Sequence, residues 1–293
     1  MPDNHQRPFS IRIFIPDGDP DGLRLVEKSN WTGIGVVFNR SIFKQVVSRP
    51  EFERTGVYVL IGTSDDSSMP TIYVGESDVV KKRLGSHYSQ KDFWDWAIFF
   101  VTKDSSLNKA HVKHLEARLL ELAKAAKQCK LYSDQPSFPP TLSEAETADV
   151  ESFLLDMLSI FPLLGLSIFE KTETSIPPQN LLYIKGRGSE ARGYEDPKGF
   201  VVVKGSQIAP TDVPSQHQYA VSMRRDLKEQ GVIVDDQFIQ DHVFKSPSTA
   251  GCVVTGRTTN GRDEWKLEDG TTLKQLQDEI SSVAETEEST GTR

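Results

Sequence analysis

The sequence predicts an α+β protein of two folded parts. Three observations carry that prediction. Between residues 55 and 127 the apolar patterning runs strand, strand, helix, strand, helix. A proline-rich stretch, QPSFPP at 135–140, then breaks the pattern. A further set of short strands and one helix begins near Leu181. At 293 residues the chain exceeds what one ordinary core needs, and 37% hydrophobic with 26% charged residues is a globular composition.

The elements follow in order. Residues 11–15 (IRIFI) read as a strand ended by the turn formers PDGDPDG, and 31–38 as a second strand. Residues 41–47 form a short helix capped by Ser41 and stopped by Ser48-Arg49-Pro50. The β-branched run 55–61 (TGVYVLI), the loop 62–70 (GTSDDSSMP) and the run 71–74 make a hairpin with a long loop. Ser77 is a suitable N-cap for a helix over 78–87, with Asp78 favoured by the helix dipole. Residues 96–102 (WAIFFVT) are a third strand. Ser106 caps a long helix over 107–127, with Leu115, Leu119, Leu122 and Ala126 on its apolar face. An acidic helix over 143–160 ends before Pro162. In the last part, 182–185 and 200–204 read as strands and 222–230 as a helix. The predicted organisation is a domain at 1–135 with its core at 55–127, a helical linker at 136–180 with a break at 172–178, an α+β domain at 181–277, and a disordered acidic tail at 278–293.

Composition excludes several classes. With no run of 18 apolar residues, no transmembrane helix and no membrane partner are expected. The start, MPDNHQRPFS, lacks a signal-peptide layout. Two distant cysteines, Cys129 and Cys252, supply neither a disulfide framework nor a zinc cluster, so the expected location is cytoplasmic. The net charge of -8 argues against a protein that coats nucleic acid. Much of that acidity is C-terminal, however: residues 71–135 hold 11 Lys/Arg against 8 Asp/Glu.

Most of the chemistry-bearing residues lie in that basic stretch, and the rest just before it. Each hairpin strand sets a tyrosine beside a glycine, as Gly56-Val57-Tyr58 and Tyr73-Val74-Gly75. Arg83 and His87 are four apart, on one helix face. Glu116 projects beside Val112, Leu119, Leu120 and Ala123, where a carboxylate is costly without a partner or a metal. Singly, each has a plainer reading: tyrosines in a core, a solvated arginine, a histidine at a helix end, an exposed glutamate.

Taken in order, the set resembles the GIY-YIG nuclease superfamily, with GVY and YVG standing for its two signatures and Arg83 and Glu116 for its helical arginine and glutamate. The resemblance covers residues 55–127. It implies a metal-dependent endonuclease hydrolysing DNA phosphodiesters, with RNA left open because such a site reads phosphate and not base. Tyr58 or Tyr73 would activate water and the other orient it. A phenol of pKa about 10 needs cations to do so. Arg83 would bind phosphate oxygens, His87 would assist, and Glu116 would hold one Mg²⁺ or Mn²⁺. His111 and His114 read as packing or substrate-side residues, with His111 supporting the site. The sequence departs from the family where an asparagine is expected beyond the glutamate, and Ser133 or Asp134 stands nearest. The alternative is therefore a nucleic-acid-binding or scaffolding protein with a nuclease fold.

Residues 181–276 resemble an uncharacterised domain that follows GIY-YIG modules in bacterial proteins. There Tyr219, Trp265 and the Arg224-Arg225 pair are candidate nucleic-acid contacts, against a reading as a folding or homo-oligomerisation unit.

Overall fold

A computed structural model describes residues 8–63, 67, 69–133, 138–170 and 181–279. The architecture is α+β, in two compact units divided between residues 171 and 172.

The first unit is built on a seven-stranded sheet. Its strands are β1 (Ile11–Phe14), β2 (Arg24–Lys28), β3 (Gly33–Asn39), β4 (Gly56–Gly62), β5 (Thr71–Ser77), β6 (Trp96–Thr102) and β7 (Lys130–Leu131), in the order β1-β2-β3-β6-β4-β5-β7. All neighbours are antiparallel except β5 and β7. The helices are α1 (Phe43–Val46), α2 (Val80–Gln90), α3 (Lys109–Ala126) and α4 (Glu144–Leu158).

Strands β3, β4 and β6 are nearly all apolar because both faces of the sheet are covered. Period two divides β4 between them. Val57, Val59 and Ile61 face the core made with Val112, Leu115 and Leu119 of α3 and Phe153 and Met157 of α4. Tyr58 and Leu60 face the other core, with Phe43 of α1, Phe52, and Val80 and Leu84 of α2.

Two boundaries differ from the sequence reading. The cap of α3 is Asn108, not Ser106: its side chain accepts from the His111 N–H at 3.0 Å, and His111 completes a capping box. The helix at 78–87 begins instead at Val80, where the Ser77 hydroxyl is engaged with Val79.

The segment read as a helical linker is part of the first core. Ser143 and Glu146 form a capping box that starts α4. Val150, Phe153, Leu154, Met157, Ile160 and Phe161 are then buried in the first unit, as are Leu166, Ile168 and Phe169. Burying each large apolar side chain is worth about 1.5–3 kcal/mol, which holds this segment to the sheet. Glu151 fixes the helix pair by bonding His114 Nε2 at 2.7 Å and accepting from Arg118 Nε at 2.8 Å. Residues 171–180, which include the break at 172–178, lie outside the described residues.

The second unit contains β8 (Leu182–Gly186), β9 (Ser189–Asp196), β10 (Gly199–Val202), α5 (Gln218–Glu229), β11 (Ile233–Val234), β12 (Gln237–Phe238), β13 (His242–Phe244), α6 (Pro247–Thr255) and α7 (Gly261–Glu264). Strands β13-β10-β9-β8 form one sheet, and β11 and β12 a separate pair. Strand β9 (SEARGYED) escaped the sequence reading because small and polar residues occupy its alternating positions. Helical backbone runs through 273–279, so the acidic segment begins inside a helix. Residues 280–293 lie outside the described residues. Among the described residues no helix is long and apolar enough to cross a membrane.

Candidate active site

The β4–β5 hairpin register sets Tyr58 opposite Gly75. A Cβ on Gly75 would lie 2.3 Å from the Tyr58 oxygen and 2.5 Å from its Cζ. The bare glycine therefore lets the Tyr58 ring lie across β5. Gly56 has a similar reason: its Cβ would meet the Phe100 carbonyl of β6 at 2.5 Å. Tyr73 shares the face of Tyr58, and the two rings stack with centroids 6.3 Å apart.

Helix α2 packs over these tyrosines, burying Val80, Leu84 and His87 at helical spacing. His87 Nε2 is 2.8 Å from the Tyr58 hydroxyl, and the His87 ring packs edge-on to Tyr73. Burial first, then the charges of Arg83 and Lys91, push the His87 pKa down to about 4. The imidazole is thus neutral near pH 7, with a lone pair to accept the phenol proton. Burial first, and then Tyr73, raise the Tyr58 pKa above its ordinary value, with Arg83 opposing and Glu116 adding to the rise. Tyr58 therefore holds its proton at rest, within hydrogen-bonding distance of His87 Nε2. The remaining His87 nitrogen, Nδ1, is buried and unpartnered among the described residues.

Arg83 lies one turn before His87 with its side chain exposed. The Tyr58 oxygen, as its hydrogen-bonding neighbour, raises the Arg83 pKa, and Tyr73 adds to the effect. The guanidinium is a fixed positive charge facing both phenols and water.

Glu116 comes from α3, on the opposite face of the sheet. It nevertheless lines one cleft with Tyr58, Tyr73 and Arg83, of about 530 Å³. The register explains how. Strand β7 pairs with β5 only at Thr71 and Ile72, so from Tyr73 onward that edge has no strand partner among the described residues. Side chains from both faces meet across the free edge. Glu76, Asp78, Lys82 and Lys109 also line the cleft. Lys109 Nζ is 2.7 Å from Glu76 and 3.5 Å from Asp78.

The cleft thus joins four of the five predicted site residues, and the fifth, His87, bonds Tyr58 behind it. Glu76 and Lys109 were missed by sequence reading. One signal was available: a lysine in the first turn of a helix opposes the helix dipole, and so asks for a nearby carboxylate. His111 and His114 do not line the cleft; one caps α3 and the other joins α3 to α4. Ser133 is described as irregular backbone, and Asp134 lies outside the described residues.

Glu116, the carboxylate that α3 brings to the cleft, is the metal-ligand candidate named from the sequence. Among the described residues no group of three or more His, Cys, Asp or Glu is placed to hold an ion. A lone carboxylate at this position would suit only a hard cation such as Mg²⁺, which keeps several waters and uses one or two carboxylates plus substrate oxygens.

In the second unit, two candidate nucleic-acid contacts are interior residues. Trp265 is fully buried and donates to the Pro247 carbonyl. Arg224 is buried, donates to the Val253 and Ala209 carbonyls and pairs with Asp212. Tyr219 and Arg225 are the exposed members of that set.

Fold and site together define a two-unit α+β chain whose first unit carries an open cleft of two phenols, three carboxylates and the cations of Arg83, Lys82 and Lys109. Residues 182–277 match the family described as Domain of unknown function (DUF4357), so the second unit contains that domain, from the start of β8 into the helix at 273–279. No curated protein and no solved structure matches the chain.

Proposed function

We propose that the first unit is a GIY-YIG-type endonuclease that hydrolyses DNA phosphodiester bonds with one divalent ion, Mg²⁺ or Mn²⁺. The observation that carries this reading is the convergence of Tyr58, Tyr73, Arg83 and Glu116 on one open cleft, with His87 bonded to Tyr58. The reading rests on these residues and their geometry.

Their chemistry matches the demands of phosphodiester hydrolysis. Arg83 offers two parallel N–H donors to phosphate oxygens and neutralises charge gathering at phosphorus. Tyr58 stands between the cleft and a neutral imidazole, so a proton taken from water at the phenol has an acceptor in place behind it. Burial makes the phenolate costly. Positive charge on Arg83 lowers that cost in the transition state, and an ion held by Glu116 would lower it further. Tyr73 then orients the water or the phosphate. A divalent ion at Glu116 would polarise the phosphate and stabilise the leaving oxygen.

The test is cleavage of single- and double-stranded DNA in Mg²⁺ or Mn²⁺ by the parent and by Glu116→Gln and Tyr58→Phe. Loss of metal-dependent cleavage in both variants, with folding retained, is expected. Identical product patterns from parent and Glu116→Gln would sink the reading.

A second reading, nucleic-acid binding without cleavage, draws on the sequence, which has no asparagine where the family has one beyond the glutamate and a net charge of -8. It predicts salt-sensitive DNA binding and no Mn²⁺ uptake at Glu116. Calorimetric titration of Mn²⁺ into parent and Glu116→Gln separates the two.

A further inference from the structure

Beside the cleft, and not among its lining residues, stand a cation and two aromatic rings. Lys91 follows the C-terminus of α2. Its ammonium lies 4.7 Å from the Tyr73 ring centroid and 4.4 Å from that of Tyr132. Among the described residues it meets no carboxylate. Tyr132 extends from β7, held by its N–H bond to the Ile72 carbonyl at 2.8 Å. Its ring stacks on Phe93, with centroids 4.2 Å apart and planes at 16°. It also meets Tyr73 edge-on at 6.4 Å. Tyr132 remains 43% exposed.

The arrangement leaves a cation and a half-exposed ring beside the cleft. A cation–π contact at such a site is worth only about 0.5–1 kcal/mol, so an incoming ligand can displace it. Both features suit an anionic, ring-bearing ligand that approaches Tyr73. Phe93 covers one face of Tyr132, so sterics put the Lys91 ammonium over the other.

We infer that Lys91, Tyr132 and Phe93 form a subsite for an unpaired nucleotide next to the scissile phosphate, so that the substrate is single-stranded DNA or a strand with an unpaired segment. The inference rests on the proposed nuclease reading of the cleft. A phosphate beside Tyr73 draws the ammonium off the Tyr132 ring into a charge-assisted hydrogen bond. The vacated ring face then takes the neighbouring base by stacking. Phe93, packed beneath, keeps the Tyr132 ring in place. A base inside a duplex is already stacked on both sides and gains nothing from this face.

The experiment measures equilibrium binding of a fluorescein-labelled oligo-dT and of a duplex of equal length. EDTA is present, so no cleavage occurs. Tyr132→Ala is expected to weaken binding of the unpaired strand by about 5- to 150-fold while duplex binding stays unchanged. Tyr132→Phe keeps the ring and is expected to bind as the parent does. Lys91→Gln should weaken binding of both oligonucleotides and make the salt dependence shallower by about one phosphate contact. Equal weakening on both oligonucleotides by Tyr132→Ala, or no change on either, would overturn the stacking subsite. A circular dichroism spectrum and melting temperature matching the parent guard against misfolding. This outcome is separate from the catalytic one: a parent that cleaves, loses cleavage in Glu116→Gln and ignores Tyr132→Ala refutes the subsite alone. A parent that binds as predicted but never cleaves refutes the nuclease reading alone.

Discussion

Replacing Gly75 by alanine places a methyl group against the most buried part of the site. The added Cβ would stand 2.3 Å from the Tyr58 oxygen, 2.5 Å from Cζ and 2.9 Å from Cε2. Ordinary contact is about 3.5–4.0 Å, so the ring must retreat by roughly 1 Å or more. It has little room to do so, because Tyr58 is 0% exposed and packed between Tyr73 and His87. Overpacking of this kind costs about 1–3 kcal/mol. Moving the phenol also breaks its 2.8 Å bond to His87, whose other nitrogen already has no partner among the described residues. Leaving a buried group unpaired costs about another 1–3 kcal/mol. The sum, about 2–6 kcal/mol, is a large share of a domain's usual stability of roughly 5–15 kcal/mol. Urea denaturation should show it as a lower midpoint at unchanged slope. Gly85→Ala is the matched control. Gly85 lies in α2, and a methyl group there would have nothing within 4 Å. The same change at that position should stabilise by about 0.5–1 kcal/mol through helix propensity. If Gly75→Ala unfolds within about 0.5 kcal/mol of the parent, below the roughly 1 kcal/mol minimum for overpacking, the reasoning about the hairpin glycine is wrong.

Three other perturbations test separate parts. Arg83→Lys keeps the charge but loses the planar fork; cleavage should fall by about 10²- to 10³-fold with little change in melting temperature, since the side chain is exposed. His87 has a folded pKa of about 4, below its ordinary value, so as pH falls the unfolded chain protonates first. Its contribution is present above about pH 6.5 and is lost on the way down to pH 4, by at most about 3 kcal/mol. The difference in urea midpoint between parent and His87→Gln across that range measures it. His242, in the second unit and also pushed down to about 4 by burial, contributes equally to both proteins. Asn108→Ala removes the capping box of the helix that carries Glu116 and should cost about 0.5–2 kcal/mol, read by denaturation, with a smaller cost for Asn108→Ser.

Local patterning determined much of this protein by itself. Short β-branched and apolar runs bounded by turn formers located β4, β5 and β6, and helical patterning with caps located α2, α3 and α4, because each element shows its burial in its own residues. Tyr58, Tyr73, Arg83, His87 and Glu116 were legible for the same reason: they occupy fixed places on those elements. Other features needed the tertiary structure. Residues 144–169 look like a linker until Phe153 and Met157 meet the sheet, because an amphipathic helix does not say what covers it. Arg224 and Trp265 look like surface contacts until the carbonyls they bond are seen. The cleft itself depends on β7 stopping after Leu131, which leaves the β5 edge open where Glu116 from one face meets Tyr58 and Arg83 from the other. No run of sequence encodes that meeting. It arises from strand register and helix packing among residues up to 58 positions apart, from Tyr58 to Glu116, and only the folded chain brings them to one cleft.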